Sequence, residues 1–334
     1  MGITRKKIKL YRVFFNSCLI VCLFSSPIIS AAPTQTLFVH IEGKGDTFRI
    51  FAETTNQSQS YQIKSLQGIE TIYSTLESRR IDRINFETLL KNLGEKLFEP
   101  IRLLIESSSE IQFIISEDLI KIPFDLLYFN DEPLFLQRPI TYSFAKVENQ
   151  NFKFSQSLSA LILSDKTADP DNGTYVLKKI LPSSDYYDAR DLNLKKLESV
   201  PNKDLILISA HGMITFTDQD YIALEDEQIY PYHLSRMVPK LIYIDSCQLG
   251  VSNAFIQSFR NAGTTYYIAP ITSNEAGNSS TKTIELFFRA FREGYNPSVA
   301  LFIARKKLDK YFEKTNDLGL LLGRVFPFRL YQLR

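Results

Sequence analysis

Leu205-Ile206-Leu207-Ile208-Ser209-Ala210-His211-Gly212 is the stretch that decides the fold, because its shape returns 36 residues later as Leu241-Ile242-Tyr243-Ile244-Asp245-Ser246-Cys247. Each is a four-residue apolar run, too short for a helix, that ends in a polar tip. Such runs read as strands buried on both faces, the pattern of a parallel sheet. Catalytic and ligand sites collect at the carboxyl ends of parallel strands. A His at one tip and a Cys at the next therefore predict a meeting of His211 and Cys247 at one sheet edge. A thiol beside an imidazole suits a cysteine hydrolase, with Cys247 as nucleophile and His211 as the base that takes its proton. Gly212, with no Cβ, admits a close backbone approach, and the N–H groups of Gly212 and Cys247 are the candidate oxyanion donors.

Working outward, elements alternate. Strands are expected at 36–42, 47–52, 110–115, 140–145, 158–163, 204–209, 240–245, 264–269 and 325–331. Helices are expected at 66–76, 86–105 (kinked at Pro100), 175–181, 184–197, 231–237, 250–261, 279–292 and 297–312. Residues 54–60 and 212–220 read as polar loops. Alternation of this kind predicts an α/β sandwich of three layers around a mainly parallel sheet.

The chain has 334 residues, 44% hydrophobic and 23% charged, enough for a substantial core. Its formal charge of +2 comes from the leader. The first 31 residues hold Arg5, Lys6, Lys7, Lys9 and Arg12 and no acid; without those five, 34 basic face 37 acidic residues. A net charge of −3 offers no basic excess for a nucleic-acid partner. The basic stretch, the apolar run 13–29 and the small residues Ser30-Ala31-Ala32 predict an export signal over residues 1–31, and so a periplasmic or secreted protein. The alternative is an uncleaved leader acting as a membrane anchor; the mature chain itself is expected to hold no stable membrane span. Two of the three cysteines, Cys18 and Cys22, lie in that leader, which leaves Cys247 as a single thiol. No zinc-type ligand spacing, Walker loop, Gly-x-Gly-x-x-Gly or Gly-x-Ser-x-Gly occurs, and no cofactor or metal is expected.

Ile208-Ser209-Ala210-His211-Gly212, then Asp245-Ser246-Cys247, then Ala262-Gly263-Thr264 leading into a strand, resembles the CHAT family of caspase-like cysteine peptidases. Ile122-Pro123-Phe124-Asp125-Leu126-Leu127 echoes a Pro-Phe-Asp motif of that family, and residues 294–301 are similar to its penultimate helix–loop–helix. The resemblance covers about residues 66–334, with the catalytic part at about 155–334, and leaves 32–65 as a short N-terminal β segment. It implies a caspase-hemoglobinase-like fold, a Cys247–His211 dyad, Gly212 as an oxyanion donor and a protein or peptide substrate. The Asp-Ser-Cys motif departs from the commoner Ser-Ala-Cys and looks like that of metacaspases. There the acid helps to hold a basic side chain, which implies Asp245, with Glu275 nearby, as the substrate-binding carboxylates and cleavage after Arg or Lys. Ala269-Pro270-Ile271-Thr272 replaces an aromatic-rich family segment. A catalytically silent or partner-activated protein-binding module on the same fold is the alternative, with an activating protein as its partner.

Overall fold

The computed structural model describes residues 35–334 except 45, 46, 149, 151, 216 and 218; the leader lies outside the described residues. The strands are β1 (Thr36–Lys44), β2 (Thr47–Glu53), β3 (Ser58–Lys64), β4 (Glu110–Ile115), β5 (Tyr128–Phe129), β6 (Glu132–Pro133), β7 (Ile140–Ser143), β8 (Ala160–Ser164), β9 (Asp185–Asp188), β10 (Leu205–Ser209), β11 (His211–Met213), β12 (Tyr221–Ala223), β13 (Gln228–Ile229), β14 (Leu241–Asp245), β15 (Tyr266–Pro270) and β16 (Phe328–Gln332). Eleven of them form one sheet, in the order β3-β2-β1-β4-β7-β16-β15-β14-β10-β8-β9. Pairing is parallel except at β3–β2, β2–β1 and β15–β16. The last strand, β16, lies between β7 and β15 and joins the N-terminal half of the sheet to the C-terminal half.

Alternation along the central strands splits the core into two layers. Leu161, Leu163, Ile206, Ile208, Ile242 and Ile244 pack with Leu197, Leu234, Phe255, Ile256 and Phe259 on one face. Ile162, Leu205, Leu207, Leu241 and Tyr243 pack with Leu177, Ile284, Phe287, Phe288, Ala300 and Ala304 on the other. Helices therefore cover both faces, and the molecule is a three-layer α/β/α sandwich. That double burial is why these strands carry unbroken apolar runs.

Several expectations shift in detail. The predicted helix over 184–197 is instead β9, a 3-10 turn at Ala189–Asp191 and a short helix at Leu194–Ser199. Tyr186 and Tyr187 favour a strand, and β8 offers β9 an open edge to pair with. Part of the expected 54–60 loop is β3, a polar edge strand held by seven residue pairs with β2. Ser58, Gln59 and Ser60 carry no apolar alternation because an edge strand facing water does not need it. The 212–220 loop contributes to a second, three-stranded sheet, β11-β12-β13. An unpredicted helix, Leu318–Val325, precedes β16. The kink at Pro100 is a 3-10 turn, Glu99–Ile101, between helices Arg83–Phe98 and Arg102–Glu106. The strands of segment 36–64 join the main sheet through the parallel pairing of β1 with β4.

The Pro-Phe-Asp motif has a structural place here. Asp125 is buried, accepts from the Tyr142 hydroxyl at 2.6 Å and faces Arg305 Nη1 at 3.5 Å. Arg305, also buried, donates to the Phe326 carbonyl at 3.3 Å and to that of Phe328, and its guanidinium lies against the rings of both Phe135 and Phe326. The motif thus ties β7, the helix Pro297–Phe312 and the start of β16 together. Removing one member of a buried charge pair leaves the other uncompensated, at a cost of about 3–5 kcal/mol. Asp125→Ala is expected to lower the free energy of unfolding by about that amount in urea titrations; a loss within error of zero would contradict the tie.

Candidate active site

Four neighbouring parallel strands end along one edge of the sheet, and the residues just beyond their tips build the site. β15, β14, β10 and β8 stand side by side, with Ser209 in register with Asp245 on one side and with Ser164 on the other. Past β8 comes Thr167, past β10 His211, past β14 Cys247 and past β15 Asn274. One residue separates Ser209 from His211 and Asp245 from Cys247, so the in-register pairing brings both to the same end of the sheet.

At Ala210 the chain leaves the main sheet. His211 opens β11, which pairs antiparallel with β12, and the imidazole is solvent-exposed. Gly212 packs directly on the Cys247 backbone: a Cβ there would stand 2.9 Å from the Cys247 carbonyl oxygen and 3.2 Å from its nitrogen. Only glycine permits that approach. Beyond Cys247 the chain turns sharply. Gln248 takes the left-handed conformation, with φ of 62°, and leads into a 3-10 turn at Leu249–Val251. Strain of this kind persists where the surroundings fix it, as they do here between two strand tips.

The hydrogen bonds divide the two reactive groups. His211 Nε2 lies 3.0 Å from Thr167 Oγ1, and that hydroxyl also bonds Asp165 Oδ1 at 2.7 Å. The hydroxyl has one proton. With that proton on Asp165, its lone pair accepts from His211 Nε2–H, which leaves Nδ1 as the basic nitrogen. The Cys247 thiol is half-buried and donates to Asn274 Oδ1 at 3.3 Å. Among the described residues no hydrogen bond links His211 to Cys247. Burial pushes the thiol above its ordinary pKa, a hydrogen bond from the Asn274 backbone opposes that, and the charges of Asp245 and Glu77 add to the rise. His211 borders a cleft of about 330 Å³ walled by Ala189, Ala223 and Leu224, with Arg190 and Glu225 at its margin.

Asp245 lies beneath the site. Its Oδ2 accepts from Ser209 Oγ at 2.6 Å and from the Ser280 hydroxyl, and its Oδ1 accepts from Asn274 Nδ2 at 2.5 Å. Glu275 pairs with Arg324, whose Nε is 2.9 Å away. Both carboxylates expected to bind substrate are thus engaged by other side chains of the protein; Asp245 is only 3% exposed, whereas Glu275 is partly open to solvent. The other histidines stand apart: His40 is 3.6 Å from Glu53, and His233 Nδ1 accepts from the Tyr230 N–H. The sequence carries no signal for Thr167, Ser209, Asn274 and Ser280 as partners in the site, since single hydroxyl and amide residues have no periodic pattern.

Burial holds the Asp245 carboxyl up at about 6; the Ser209, Ser280 and Asn274 donors offset part of the rise and the nearby Asp169 adds to it. The folded pKa lies above the unfolded one, so this group favours the fold when protonated. Its contribution is full below about pH 4 and is lost as pH rises through about 6. The difference from an ordinary Asp is worth about 3 kcal/mol. Between pH 4.5 and 7.5 the wild type should therefore lose about 2 kcal/mol that Asp245→Asn keeps. Urea unfolding of both proteins at both pH values checks this; equal pH dependence would contradict it.

Among the described residues, no helix is long and apolar enough to cross a membrane. Comparison of the chain with models of known families and with curated proteins finds no match in either.

Proposed function

We propose that this chain is a caspase-like cysteine endopeptidase, resembling the CHAT family, that works through His211 and Cys247. The observation that carries the proposal is the delivery of both residues to one sheet edge from in-register neighbouring strands, with Gly212 against the Cys247 backbone. In this reading the scissile carbonyl sits between Cys247 and His211. The imidazole takes the thiol proton, and the thiolate adds to the carbonyl carbon. The N–H groups of Gly212 and Cys247 face the developing oxyanion. His211 then gives its proton to the leaving amine, and a water deprotonated by His211 hydrolyses the thioester. Thr167 holds Nε2, so that Nδ1 does this work. The reaction needs no cofactor, and the substrate is a protein or peptide.

Cleavage after Arg or Lys belongs to the same proposal. A guanidinium or ammonium reaching Asp245 takes the place of the Asn274 amide on Oδ1, exchanging a neutral donor for a charged one. Glu275 serves the same end only if Arg324 yields it. The leader is read as directing export. A second reading, a silent or partner-activated binding module, draws on one observation: His211 and Cys247 are each bonded to another residue.

A fluorogenic peptide panel with Arg, Lys, Asp or Ala before the cleaved bond, assayed under reducing conditions, tests the proposal. Turnover after Arg or Lys is expected, falling at least a thousandfold in Cys247→Ala and His211→Ala, roughly the loss of a nucleophile or its base. Turnover after Asp alone would remove the basic preference. Turnover that survives Cys247→Ala would remove the dyad.

A further inference from the structure

Asn274 is neither nucleophile, base nor oxyanion donor, yet it holds the thiol. Its Oδ1 accepts from Cys247 at 3.3 Å while its Nδ2 donates to Asp245 at 2.5 Å. Asp245 is fixed below by Ser209 and Ser280. Rotating the amide would set its carbonyl against a buried carboxylate, so the amide has one stable orientation, with its acceptor on the thiol. An acceptor on S–H favours the protonated form, which is the poor nucleophile.

The loop bearing Asn274 is clamped on both sides. Glu77, at the end of the helix Ile69–Ser78, accepts from the Ser273 N–H at 3.0 Å and from the Ser273 hydroxyl. Arg79, just beyond that helix, donates from Nη2 to the Ser273 carbonyl at 2.8 Å. Glu275 is held by Arg324 on the helix Leu318–Val325. Three consecutive residues thus bind an N-terminal helix, the nucleophile and a C-terminal helix in turn. The contacts at Ser273 span 194 and 196 positions of sequence, so the state of the thiol depends on a distant part of the chain.

We propose that Asn274 is a latch that keeps Cys247 bonded away from His211, and that the helix Ile69–Ser78 sets the latch through Glu77 and Arg79. The inference rests on the dyad reading above, which gives the thiol a reason to be held. When the loop shifts, the S–H bond to Oδ1 breaks and the thiol proton passes to His211. A thiolate and an imidazolium result, with no other group gained or lost. Asn274 is in this sense a positioning residue, and the free protein is the latched state.

The test is the rate at which iodoacetamide alkylates Cys247 in the full chain at pH 7, with a thermal melt of every variant. Asn274→Ala should react about fivefold faster, the worth of one ordinary hydrogen bond. Asn274→Gln, which keeps both a donor for Asp245 and an acceptor for the thiol, should give a smaller rise than Asn274→Ala; equal rates in the two would mark a merely structural role and overturn the latch. Glu77→Ala should also accelerate alkylation. Glu77→Gln keeps an acceptor oxygen for Ser273 and should give a smaller rise. An unchanged or slower Asn274→Ala would overturn the latch, and equal rates in the two Glu77 variants would overturn the clamp. Alkylation needs no peptide turnover, so its failure leaves the peptidase reading standing. Peptide turnover failing in every variant, with alkylation as expected, removes the peptidase and keeps the latch.

Discussion

The register between β10 and β14 is the constraint on which the site depends. Ser209 opposite Asp245 brings His211 and Cys247 to the same end of the sheet. A slip of one residue would turn every side chain of one strand to the opposite face. Ile206 and Ile208 would then exchange layers with Leu205 and Leu207, although each set is buried against different helices. The apolar packing of both layers thus fixes the register, and the register brings His211 and Cys247 to one end of the sheet. The candidate site hangs on ordinary core packing some way below it.

A polar counterpart lies at the top of the same strands. Asp245 gathers Ser209 from β10, Asn274 from the segment after β15 and Ser280 from the helix Asn278–Arg292. Ser246 adds a bond to the Ala210 carbonyl at 2.6 Å, stitching the two strand ends once more. Burying a carboxylate among neutral donors is costly, and the raised pKa is the sign of that cost. In return, three chain segments are fixed around one thiol. The structure spends stability on the geometry of the site, as functional sites commonly do.

Much of this was legible in the sequence, for a physical reason. Strands buried on both faces must be apolar at every position, so 205–208 and 241–244 announce themselves, and the polar residues that interrupt them mark the sheet edge. His211, Gly212 and Cys247 follow directly. β9 and β3 were misread because edge strands need neither apolar runs nor strict alternation, and their pairing comes from a neighbour distant in the chain. The three-stranded sheet 211–229 and the helix Leu318–Val325 are short elements whose formation depends on tertiary contacts. Thr167 and Asn274 were invisible for another reason: their roles exist only once separate strand tips stand side by side. Asp245 was noticed, but its three internal donors could not be read from spacing.

We propose above all that Cys247 is a nucleophile served by His211. The most direct test is covalent trapping: a peptidyl acyloxymethyl ketone with Arg at the reactive end, incubated with the reduced protein and mapped by mass spectrometry. One adduct is expected, on Cys247, formed at least a hundredfold more slowly in His211→Ala, the scale of general-base assistance. No adduct on Cys247, or labelling of His211→Ala at the wild-type rate, would contradict it.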